Sequence, residues 1–153
     1  MFDRLRLWLE EAAGEHSESR DALQTAVAAL LVETARADDR YDARERDVID
    51  RLLQQRFGLQ PAAAHELQEE GAQRASRSVQ LFGYARTINE RLPRERRVGL
   101  IEMLWEVAYA DGVLDPLEDS LVRQVGGLID VSDQERGAAR RRVMERLGIR
   151  DQN

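Results

Sequence analysis

The sequence predicts an all-α fold, a compact bundle of seven to eight helices, and three observations carry that expectation. Apolar residues recur at helical spacing along almost the whole chain, with no strand-like alternation to compete. Prolines and cap residues fall at the boundaries of those apolar runs. One helix–loop–helix pattern occurs twice, at a constant offset of 73 residues. A length of 153 residues fits a single domain, 1–153, with its own core.

Taken in order, the first helix begins at about Phe2 and places Phe2, Leu5, Trp8 and Leu9 on one face, an amphipathic N-terminal helix over 1–15. A second starts near Ser19 and sets Leu23, Val27, Leu30, Leu31 and Thr34 at core spacing. The third follows Asp42, carries Val48, Ile49, Leu52 and Leu53, and stops before Gly58. Pro61 suits the first turn of a fourth, where its missing N–H is no loss. A fifth carries Leu81, Phe82, Ala85, Ile88 and Leu92. Pro93 opens the most apolar helix, with Leu100, Ile101, Leu104, Trp105 and Val107, and so broad an apolar surface predicts a central position. A seventh begins after Asp115, and the last begins with the capping box Ser132 to Glu135.

In the repeat, Leu31, Glu33, Ala35, Ala37, Asp38, Asp42 and Glu45 recur as Leu104, Glu106, Ala108, Ala110, Asp111, Asp115 and Glu118. Two such helix–loop–helix units can bury their apolar faces against each other, with approximate twofold symmetry. In the second loop, Gly112 is expected as a C-cap glycine in the left-handed conformation. Asp115 is expected to cap the next helix, with Pro116 at its first position and Glu118 at the third position of a capping box. The first loop has Asp39 where the second has Gly112.

Composition excludes much chemistry. There is no cysteine, which removes thiol nucleophiles, disulfides and thiolate metal sites. All 23 basic residues are arginine, so there is no Schiff-base or phosphate-loop lysine. His16 and His65 sit in polar stretches and read as surface residues. The net charge of −6 and the dispersed arginines disfavour nucleic acid, which needs a coherent positive face; Arg140 to Arg142 read as the solvated side of the last helix. No apolar run reaches membrane-spanning length and the N-terminus lacks a signal-peptide core, so the expected location is the cytoplasm.

The acidic loops are the one feature that invites a ligand. Several carboxylates on a short loop resemble a hard-cation site, although Val113, Pro116 and Val122 stand where an EF-hand needs an oxygen ligand, a glycine and a glutamate. Capping accounts for Asp42, Glu45, Asp115 and Glu118, and pairing with arginine for Glu33 and Glu106. Asp38 and Asp111 fall at helix C-termini, where the helix dipole disfavours an anion by roughly 0.3–1 kcal/mol. A bound cation, a buried arginine or donors from the following loop would each compensate.

The segments LFGYARTIN and RVGLIEMLWEVAYADGVLDPLEDSLVRQVGGLIDVSD, with AALLVETARADDRYDARE in the first half, resemble the TerB-like family of bacterial tellurite-resistance proteins. The resemblance spans about residues 20–147, is most specific at LWEVAYADGVLD, and is closest to a stand-alone, poorly characterised branch. It implies an all-helical pseudo-twofold fold and a non-enzymatic protein linked to tellurite, oxidative or envelope stress. It also implies a divalent cation (calcium, magnesium or manganese) at Asp38, Asp42 and Glu45 and at Asp111, Asp115 and Glu118. Three functions follow as expectations: a stress-response binding or scaffold protein with cation-binding loops; a metal-free protein-interaction module, membrane-peripheral through its first helix; and a carboxylate-only metal hydrolase, which has no usable histidine and no lysine or cysteine to assist it. The partners expected are proteins, and the oligomeric state is left open.

Overall fold

The computed structural model describes residues 17–37, 41–75 and 81–150. Among these residues it is all-helical, with seven helices and no strand. They are α1 (Ser17–Arg36), α2 (Ala43–Phe57), α3 (Pro61–Ala75), α4 (Leu81–Arg91), α5 (Arg94–Ala108), α6 (Pro116–Leu128) and α7 (Asp133–Leu147). The helix expected from Phe2, with its Phe2, Leu5, Trp8 and Leu9 face, lies outside the described residues, as does Asp38.

Local chemistry sets the helix ends. Asp42 and Glu45 form a reciprocal capping box at the start of α2, and Gly58 ends it in the left-handed region at φ 63°. Ser132 and Glu135 form a second box before α7, which Gly148 closes at φ 68°. Asp115 caps α6 with Pro116 behind it. One expectation is corrected here. Gly112 is left-handed (φ 84°), but it does not cap α5, whose C-cap is Tyr109. The chain makes two hydrogen-bonded turns first, Ala110 N–H to the Val107 carbonyl and Gly112 N–H to that of Tyr109.

Two helices occupy the centre. In α1 every residue from Ala26 to Val32 is buried, and in α5 so is every residue from Met103 to Ala108. A helix buried on all sides must be covered by several neighbours. Here α1 lies along α3 and also meets α4 and α5, while α5 packs on α7 and α1. The packing is reciprocal across the repeat: α2 of the first unit rests on α5, and α6 of the second rests on α1. Trp105, 1% exposed, anchors α5 to α7 by donating its indole N–H to the Arg136 carbonyl at 3.2 Å. The hydroxyl of buried Thr34 is satisfied within α1 by the Leu30 carbonyl.

Candidate functional site

The acidic loops use their carboxylates on their own backbone. Asp111 is exposed, three residues beyond the end of α5, and its Oδ1 accepts from Val113 N–H at 3.0 Å. Donors from the following loop, one of the three ways to compensate that aspartate, are therefore in place. Asp115 Oδ1 accepts from Leu117 N–H at 2.8 Å, so its cap bond goes to Leu117 and not to Glu118. Glu118 is 3% exposed and turned into the fold. In the first loop Asp42 Oδ1 accepts from Glu45 N–H at 3.0 Å, and Glu45 Oε1 accepts from Asp42 N–H at 3.3 Å. Among the described residues no three His, Cys, Asp or Glu are grouped to hold a metal ion. The donor set of the second loop, split between an exposed turn, a cap and the interior, does not fit a divalent cation, which needs converging oxygens. Asp38 of the first loop lies outside the described residues.

The stronger electrostatic features are the repeated glutamates one turn earlier. Glu106 on α5 is 9% exposed and sits between Arg146 Nη2 of α7 at 2.8 Å and Arg51 Nη2 of α2 at 3.5 Å. Glu102, one turn back, accepts from Arg146 Nη1 at 2.6 Å and from Arg142 Nη2 at 3.2 Å. The hydrogen bond to Glu102, then that to Glu106, hold the Arg146 guanidinium above its ordinary pKa against the opposing effect of burial. This network ties α2 of the first unit to α5 of the second and both to α7.

Its repeat partner, Glu33 on α1, has a different setting. Among the described residues Glu33 forms no ion pair; it borders a cavity of about 370 Å³ with Arg36, Ala75, Leu117, Ser120 and Gln124. Burial raises its pKa, and the nearby charge of Arg36 only partly opposes this. Arg36 is engaged elsewhere, donating to the Ala72 carbonyl at 3.1 Å and lying over the Tyr41 ring at 5.1 Å.

A larger groove opens on another side. About 400 Å³ in volume, it has an apolar floor of Leu23, Val27, Leu92, Leu100 and Met103, and a rim that includes Arg56, Glu95, Arg96 and Arg142. Gly99 leaves it open on the α5 wall, since a Cβ there would meet only Arg56 Nη1, at 3.6 Å. The sequence reading missed this groove, because its residues come from four helices and the turn after α4, and no local pattern marks them.

The remaining polar residues have structural uses. His65 is an exposed side chain between Asp50 (3.6 Å) and Glu69 (3.2 Å). Of the Arg140–Arg142 run, Arg141 and Arg142 are exposed as expected. Arg140 instead donates to the Tyr109 hydroxyl at 2.7 Å and lies 5.9 Å from the centre of the Trp105 ring. No helix among the described residues is long and apolar enough to cross a membrane.

Comparison with known families adds one finding. The family model described as "Tellurite resistance protein TerB" matches residues 24–141, from the first buried turns of α1 into α7. No curated protein and no solved structure matches the chain.

Proposed function

The chain belongs to the TerB family, and from that premise we propose that it is a non-enzymatic binding or scaffold protein of the stress-response type, which holds a helical segment of a partner protein. The observation that supports this reading is the 400 Å³ groove, with its apolar floor and a rim of both charge signs. An amphipathic helix offers the complement: an apolar face for Leu23, Val27 and Leu100, and flanking charges for Arg56, Glu95 and Arg96. The lack of cysteine and lysine supports a non-enzymatic role. In this reading the acidic loops are caps that fix the turns after α1 and α5. Tellurite resistance is the setting that the family description lends to the proposal.

The test fills the groove. A Cβ at Gly99 makes only ordinary contact with the flexible end of Arg56, at 3.6 Å, so Gly99→Phe is expected to keep its circular-dichroism melt. A labelled helical peptide with leucines at i, i+3, i+4 and i+7 should bind the native chain, read by fluorescence anisotropy, and not the variant. Equal binding by both would remove the groove from the proposal.

A further inference from the structure

The two halves of the molecule treat the same glutamate differently, and the difference describes a ligand. Glu33 and Glu106 are equivalent in the repeat, and so are the helices that flank them, α6 beside α1 and α2 beside α5. At the same offset of 73 residues, Arg44, Asp47 and Arg51 of α2 correspond to Leu117, Ser120 and Gln124 of α6. Beside Glu106, Arg51 of α2 brings its guanidinium to 3.5 Å. Beside Glu33, the corresponding residue, Gln124 of α6, lines the cavity and carries no charge. The cavity therefore keeps the carboxylate and the space beside it, while the position that supplies Arg51 in the twin site is uncharged, and the cation on its wall, Arg36, is committed to the Ala72 carbonyl and the Tyr41 ring.

The geometry points to a receptor: the cavity over Glu33 takes an arginine side chain presented by a partner protein, seated as Arg51 and Arg146 are seated on Glu106. Three observations select that ligand. The twin site shows guanidinium on this carboxylate, with Arg146 Nη2 at 2.8 Å. A planar, weakly hydrated guanidinium tolerates a half-buried carboxylate better than an ammonium does, and it has further donors for Ser120 and Gln124. Leu117, 59% exposed at the mouth, offers apolar contact to the residue next to that arginine. A metal ion is disfavoured because Glu33 is the one carboxylate among the described lining residues. This site is separate from the groove of α1 and α5 and stands without it.

The experiment is a titration of the isotope-labelled full chain with N-acetyl-arginyl-leucine amide, followed by amide chemical shifts. The citrulline analogue, equal in shape and uncharged, is the control. Shifts should cluster around Glu33, Ser120 and Gln124 with the arginine probe and be absent with citrulline. Glu33→Gln should weaken binding at least tenfold. Gln124→Arg, which supplies the internal cation that Arg51 supplies at the twin site, should abolish binding while leaving the melt unchanged or raised. Equal response to citrulline would overturn the assignment, and so would undiminished binding by either variant. Binding that emerges only when Arg36 is replaced by alanine would also overturn it, since the arginine would then be the chain's own.

Discussion

Gly71 of α3 lies so close to Ala28 of α1 that a Cβ on it would stand 2.8 Å from the Ala28 carbonyl carbon and 2.9 Å from the Ala29 nitrogen. Backbone cannot swing aside as a side chain can. Gly71→Ala should therefore destabilise the protein by about 1–3 kcal/mol, the usual cost of overpacking. Gly127 of α6 is the control, with nothing within 4 Å of its Cβ position. Gly127→Ala should gain about 0.5–1 kcal/mol from lower backbone entropy in the unfolded chain. Urea unfolding midpoints of opposite sign would bear this out; two gains would mean that α1 and α3 are not in such contact.

The raised pKa of Glu33 has a definite sign in stability. Burial favours the protonated form in the folded state, so folding is helped in acid. That help is lost as pH rises from the ordinary carboxylate range through the higher folded value. Glu33→Gln should thus leave stability near native at pH 4 and raise the melting temperature at pH 7. A variant equally stable at both, or less stable at pH 7, would show that Glu33 is well compensated as an anion.

Glu106 should behave in the opposite way. Replacing it with glutamine removes the partner of Arg51 and Arg146, whose side chains are 51% and 45% exposed. Water can reach both guanidinium groups and Arg146 keeps Glu102, so the loss should sit near the low end for a charged hydrogen bond, about 1–2 kcal/mol. Chemical denaturation of the Glu106→Gln variant at low and high salt measures it. An unchanged midpoint would make the network surface decoration.

Asp115→Ala removes the oxygen that Leu117 N–H meets at 2.8 Å and should cost about 1 kcal/mol, the usual value of an N-cap. If capping is the work of these carboxylates, millimolar calcium, magnesium or manganese should leave the native melting temperature unchanged. A ligand of the native state must raise it. A metal-induced rise that Asp111→Asn abolishes would restore the cation reading.

Much of this architecture could be read from the chain because it is local. Pro61, Asp115 with Pro116, and the Ser132–Glu135 box mark helix starts by their own conformational limits, and the structure places helices there. The central position of α5 followed from apolar residues on every side of it. Other features depended on what each residue meets in space. Glu118 had the spacing of a capping-box residue, yet Asp115 takes its cap bond from Leu117 N–H. Gly112 had the sequence position of a C-cap, but Tyr109 ended the helix first. The groove gathers residues from Leu23 to Arg142, and no periodicity reports that. The contrast between Glu33 and Glu106 was half legible: Arg51 against Gln124 is visible in the repeat, but only packing shows that these positions face the glutamates.

The clamp on Glu106 draws one arginine, Arg51, from the first half of the chain and one, Arg146, from the second. A fragment cut at the boundary between the halves would leave that carboxylate beside only one of them, so the duplicated pieces are bound to each other by a shared counterion. The opposite glutamate has no such duty. One copy is committed to holding the molecule shut, which leaves its sibling open to change in response to whatever arrives from outside.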